Sequence, residues 1–142
     1  MGVINVTQIE RNGKPIASEK MLLDVGVISE PLLENSNNNA VILVQESIVS
    51  SRAAEKPNSV QYIANETLAA ILGSTTELFV ATVQSRNGKA PVVPTLGFVL
   101  EKVVGGIRAE GSGSKFFYHE GGDVLPVEYI VSETPDAIQA SL

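Results

Sequence analysis

Short apolar runs alternate with polar turn clusters along the whole chain, and the pattern predicts strands rather than long helices. Two runs of strand-forming residues, Ile4–Ile9 and Leu78–Gln84, are each followed by an Asn-Gly pair, Asn12-Gly13 and Asn87-Gly88. Asn-Gly supplies the two positive φ angles of a type I′ turn, so each pair predicts a β-hairpin. The return strands begin at Pro15–Ala17 and Pro91–Val93. Their prolines lack an N–H donor, which places these strands at an edge or makes them start late. The Val/Leu/Ile-dense runs Met21–Ile28 and Leu96–Val104 predict strands buried on both faces. Turn-rich loops follow at Asn35–Asn39 and Glu110–Ser114, and then strands at Val41–Gln45 and Lys115–Tyr118. A last strand, Val60–Ala64 or Val127–Val131, feeds a short helix. Asn65 and Ser132 are placed to cap these helices, with Glu66 and Glu133 near the positive end of the dipole. Pro135 suits a first turn, Gly73 a stop, and Ala70 with Ile71 and Ala137 with Ile138 a core-facing side.

These elements come in pairs because the chain repeats itself. Arg11-Asn12-Gly13-Lys14 returns as Arg86-Asn87-Gly88-Lys89, and the stretch from Val60 to Ile71 returns from Val127 to Ile138 with seven of twelve residues identical. Two matched blocks in the same order point to tandem duplication, with repeats at 1–75 and 76–142. The second copy is shorter where the loop Ser47–Ser59 is answered by Glu120–Pro126. The expected fold is therefore mainly β. It is a tandem duplication of a small five-stranded β unit ending in a short helix. One such unit of about 70 residues is marginal alone, so the copies are expected to pack as a pseudo-twofold, sandwich- or barrel-like domain.

Composition narrows the chemistry. Of 142 residues, 44% are hydrophobic and 18% charged, enough to build a core. The net charge of −6 argues against broad nucleic-acid binding and against docking on anionic membranes. With no Cys, disulfides, thiolate metal sites and cysteine catalysis are excluded. The start of the chain has no basic segment before an apolar run, and Val6 stands where a myristoylation signal needs Ser or Thr, so neither secretion nor acylation is expected. The sequons at Asn5 and Asn65 are then chance matches.

Several residues could carry chemistry. His119, the single histidine, lies in Tyr118-His119-Glu120-Gly121-Gly122-Asp123, where His, Glu and Asp could ligate a metal. The matching Val44-Gln45-Glu46 has no His, which favours a polar strand end leading into a turn. Gly111-Ser112-Gly113-Ser114-Lys115 lacks phosphate-loop spacing and precedes a strand, so it reads as a turn. Glu120 and Asp123 could pair as catalytic carboxylates, but solvated acids at a Gly turn fit as well. Arg11, Lys14, Arg86 and Lys89 sit at hairpin tips, able to touch nucleic acid or an acidic partner, or simply to keep the tips soluble. Tyr62 and Tyr129 hold equivalent places on the face of Val60 and Val127. There they serve as core aromatics or, alternatively, in a subunit contact. No catalytic, cofactor-binding or metal-binding residue is assigned, and the chain is not expected to be an enzyme.

The terminal strand and helix, Glu128-Tyr129-Ile130-Val131-Ser132-Glu133-Thr134-Pro135-Asp136-Ala137-Ile138, in a small acidic Cys-free β domain, resembles short structural proteins of tailed bacteriophages. The likeness is to small β-rich virion proteins of crAss-like and related phages. It covers the style of both copies and carries no site residue. It implies a virion protein without a cofactor, made in the host cytoplasm. The first expectation is a capsid auxiliary or decoration protein on the capsid surface, bound to the major capsid protein shell or other virion proteins. The alternatives are a neck or tail ring or connector component, with homo-oligomers possible, and a cellular β-domain module. In that module the loops 29–39, 46–59 and 105–114 would grip a ligand or peptide.

Overall fold

The structure, a computed structural model, describes residues 2–47, 57–120 and 125–142. It is mainly β, with 56% of residues in two five-stranded antiparallel sheets that do not close into a barrel. The first sheet is built from β1 (Val3–Arg11), β2 (Lys14–Asp24), β3 (Leu33–Glu34), β4 (Ala40–Ser47) and β5 (Pro57–Ala64), followed by helix α1 (Leu68–Gly73). The second comes from β6 (Leu78–Arg86), β7 (Thr95–Val99), β8 (Val103–Glu110), β9 (Gly113–Tyr118) and β10 (Val127–Val131), followed by α2 (Pro135–Ser141). Strand order is β2-β1-β5-β4-β3 in one and β7-β6-β10-β9-β8 in the other. Element for element, the second order is the first with each strand replaced by its repeat, so the duplication extends to topology.

The repeated sequence blocks are the contacts that hold this topology together. Asn12 and Asn87 have φ of 50° and 51°, and Gly13 and Gly88 both have φ of 81°. The side-chain oxygen of Asn12 accepts from the Gln61 N–H at 2.9 Å, and that of Asn87 from the Glu128 N–H at 2.8 Å. Each Asn thus makes its turn and also fastens the hairpin tip to the third strand. Glu66 accepts from the Thr7 N–H and Glu133 from the Thr82 N–H, both at 2.8 Å. These two glutamates stitch the lead-in of each helix to the first strand of its repeat. Replacing Asn12 by Ala is expected to cost about 1–2 kcal/mol, because a Cβ without a polar head resists positive φ and the tip bond is lost. Asn12→Gly, which keeps the φ, is expected to cost about half as much, and urea midpoints of the two variants separate the two contributions.

Several expectations are corrected. Thr67 and Thr134 cap the helices, each accepting from the N–H three residues on at 3.1 Å; Asn65 and Ser132 do not. Strand pairing outlasts the predicted strand, since the Asn65 N–H still bonds Thr7 O at 2.7 Å and Ser132 bonds Thr82 O at 2.9 Å. Glu66 and Glu133 therefore precede the cap and serve the sheet rather than the dipole. Pro135 does open α2, but Gly73 is the last residue of α1, capped by Ser74. Ile71 and Ile138 are buried, whereas Ala70 and Ala137 are exposed.

The apolar runs are also partitioned differently. Pro15–Ala17 and Met21–Asp24 belong to one strand, β2, and Val25–Val27 is a 3-10 turn tied by Asp24 to the Gly26 N–H at 2.9 Å. In the second repeat Pro91–Val93 is not strand. The return strand starts late, at Thr95, and a 3-10 turn at Leu100–Lys102 separates it from β8. Both return strands lie at the edge of their sheet. The fifth strands are β3 and β8, and Gly113 and Ser114 of the predicted loop begin β9. The predicted loop Ser47–Ser59 lies largely outside the described residues.

One hydrophobic core runs through both repeats, and its halves differ in kind. Ile4, Leu23, Ile42 and Val44 of the first repeat are answered by Phe79, Phe98, Phe116 and Tyr118 of the second. The strand alternation places Val60, Tyr62 and Ala64, and likewise Val127, Tyr129 and Val131, on the core side.

Candidate functional site

Where the two repeats meet, an apolar cleft of about 360 Å³ opens. Its floor is the first sheet, where Val41 and Leu43 alternate with the core residues Ile42 and Val44 and Leu33 lies beside them. Its roof is the Pro91–Val93 segment, the stretch that fails to become strand. At one end stand Arg86, Glu120 and Tyr129.

These three residues are hydrogen-bonded to one another. Arg86 ends β6, Tyr129 lies on the neighbouring β10, and Glu120 follows β9, which flanks β10 on the other side. The order β6-β10-β9 brings together residues 34 apart in sequence. Arg86 Nη2 donates to Glu120 Oε1 at 2.5 Å and Arg86 Nε donates to the Tyr129 hydroxyl at 3.2 Å. That hydroxyl in turn donates to Glu120 Oε2. The hydrogen bond to Glu120, with the one to Tyr129, raises the Arg86 pKa above its ordinary value, so the guanidinium stays charged. Burial, then the bond to Glu120, pushes the Tyr129 phenol up. Tyr118, whose hydroxyl accepts from the Val99 N–H at 2.9 Å, is pushed up chiefly by burial.

Both carboxylate oxygens of Glu120 are engaged, and its charge is neutralised on the spot. The arrangement suits a fixed polar anchor at the end of an apolar cleft rather than a proton-transfer group. The raised tyrosines make a pH prediction. Each holds its proton more tightly folded than unfolded, so the stability they contribute is complete below the ordinary value of 10.0 and is lost as pH rises above it. Urea midpoints are expected to fall steeply above about pH 10, and less steeply in Tyr129→Phe.

The other residues singled out in the sequence are not gathered here. Arg11 lies over the ring of Tyr62, 5.9 Å from its centre, so the Arg–Tyr pairing occurs in both repeats. Lys14 and Lys89 are exposed at the hairpin tips. His119 is exposed, with its backbone N–H on Lys102 O at 2.9 Å, and Asp123 lies outside the described residues. Among the described residues, no group of three His, Asp or Glu is placed to hold a metal. Gly111 to Lys115 is the β8–β9 turn and the start of β9, and Lys115 pairs with Glu128 at 3.5 Å. Tyr62 and Tyr129 are both buried in the core. The Arg86–Glu120–Tyr129 cluster was missed as a unit. Its signal was the repeated placing of Arg11 and Arg86, of Tyr62 and Tyr129, and of Glu46 and Glu120. Comparison with known proteins finds no matching family model, no matching curated protein and no matching solved structure.

Proposed function

We propose that this chain is a non-enzymatic structural protein of a tailed-phage particle, a capsid auxiliary or decoration protein that binds the assembled major capsid protein shell. The observation that carries this reading is the doubling of one small sheet, bond for bond, at the strand junctions. A duplicated unit offers two related surfaces, which suits a lattice of repeated sites. The polar residues best placed for chemistry, Arg86, Glu120 and Tyr129, are spent on one another. The resemblance of the terminal strand and helix to small virion proteins supplies the setting.

A second reading, a neck or tail ring or connector, is favoured by the one-sided way in which the first repeat abuts the second, described below. Quantitative mass spectrometry of purified particles separates the two. A copy number near that of the major shell protein supports the capsid role, and about a dozen copies support a ring. Absence from particles overturns both and leaves the cleft as the site of a ligand- or peptide-binding module.

A further inference from the structure

The contact between the repeats uses different surfaces on its two sides. Leu32, just before β3, bridges to Gly97 of β7: the Leu32 N–H donates to Gly97 O at 2.8 Å and the Gly97 N–H to Leu32 O at 2.7 Å. The β3 edge of the first sheet is thereby joined to the β7 edge of the second. By register, Gly97 corresponds to Leu22 on β2, because Ile4 faces Leu23 as Phe79 faces Phe98. Leu32 corresponds to Ile107 on β8, because Leu33 faces Val41 as Arg108 faces Lys115. Among the described residues Ile107 and Leu22 form no bridge, and Leu22 is 73% exposed. The junction is thus head-to-tail, and each of its two halves occurs a second time at a free edge.

The cleft repeats the same division. In the first repeat the counterparts of its roof, around Arg11, Ile16 and Tyr62, line a hollow of their own. In the second, the counterparts of its floor, Arg108, Lys115 and Phe117, line another hollow, and Phe117 is 43% exposed. The side chains at the bridge differ from those at the free edges. A Cβ on Gly97 would lie 3.0 Å from Leu68 and 3.4 Å from Leu32, so a bulky Leu68 is matched by a missing side chain. At the free edges the counterpart of Gly97 is the large Leu22, and the counterpart of Leu68 is the shorter Pro135. Backbone polarity agrees: Gly97 turns its N–H and C=O away from β6, and Leu22, in the same register, turns its own out of the sheet. Long, unpaired edges of this kind are ordinarily blocked or covered.

We propose that a second copy of this chain docks head-to-tail, the β8 edge and outer second sheet of one copy seating the β2 edge of the next, with Ile107 opposite Leu22 as Leu32 is opposite Gly97. Such a contact is heterologous, so it propagates to more than two chains and closes into a ring when the rotation allows. The inference goes beyond the virion reading and stands or falls apart from it, because it concerns the purified chain alone.

Native mass spectrometry and light scattering up to about 100 µM protein, enough to populate a contact of micromolar affinity, test it. The wild-type chain is expected to form species of three or more copies. Leu22→Lys disables the β2 end and Phe117→Lys the β8 end. Each variant alone is expected to be monomeric, with unchanged far-UV circular dichroism because both side chains are exposed. Mixed together, they retain one intact pair of ends and are expected to give a heterodimer and nothing larger. Leu125→Lys, at an exposed site before the central strand β10, is expected to assemble like wild type. A monomeric wild type, assembly undiminished in the folded single variants, or a mixture that fails to pair overturns the proposal.

Discussion

Phe98→Ala is expected to lower the unfolding free energy by about 3–5 kcal/mol, a large part of the roughly 5–15 kcal/mol that holds a domain of this size folded. Phe98 is wholly buried and sits at the centre of the aromatic half of the core. Its ring lies 5.4 Å from Phe79, 5.0 Å from Phe116, 5.1 Å from Tyr118 and 4.9 Å from Tyr129. Three of these contacts are edge-to-face, the arrangement that sets a positive ring edge against a negative face. Truncation removes the buried area and all four ring contacts, and rigid neighbouring rings collapse poorly into the space. The equivalent change in the aliphatic half, Leu23→Ala, is expected to cost about 2–4 kcal/mol, because smaller side chains relax further. Phe98→Leu, which installs the residue the first repeat uses, is expected to cost about 1–2 kcal/mol. Urea titrations at constant m-value read all three. Equal losses for Phe98→Ala and Leu23→Ala would show that the rings contribute no more than their aliphatic counterparts.

The hairpins were legible because their cause is local. Asn-Gly sets two positive φ angles wherever it occurs, and a tip at 12–13 needs nothing from the rest of the chain. The duplication was legible because the residues that repeat are the ones making strand-to-strand and cap contacts. The helix starts were misplaced by two residues for a reason no local rule contains. Asn65, Ser132, Thr67 and Thr134 are all good caps, and the choice falls to Thr because the preceding residues are still bonded to β1 or β6. The apolar run at Met21–Ile28 misled in a similar way. It is as dense as Leu96–Val104, yet Leu22 is exposed while Leu96 to Val99 are all buried. The difference is that Leu32 and Leu68 of α1 pack on Gly97 of β7, and β2 has no such bridge among the described residues. The Arg86–Glu120–Tyr129 cluster needs strand order as well as strands, and order is a long-range property of the sheet.

That cluster supplies the second large expected effect, and its asymmetry is informative. Arg86→Ala is expected to cost about 2–3 kcal/mol and Glu120→Ala about 1 kcal/mol, although both break the same ion pair. The side chain of Glu120 is 7% exposed and that of Arg86 is 43% exposed. Removing the arginine leaves a buried carboxylate with, among the described residues, only the Tyr129 hydroxyl as partner. Removing the glutamate leaves a guanidinium that water already reaches. Breaking a fully buried pair costs about 3–5 kcal/mol, and solvent access on the arginine side brings the figure down. Tyr129→Phe removes a hydroxyl that serves both partners and is expected to cost about 1–2 kcal/mol. In a double-mutant cycle, Arg86→Ala and Tyr129→Phe are expected to be non-additive, since both act by stripping partners from Glu120. Additive losses, or a larger loss for Glu120→Ala than for Arg86→Ala, would mean that the carboxylate is solvated in solution and that the cleft ends in an open polar rim rather than a closed anchor.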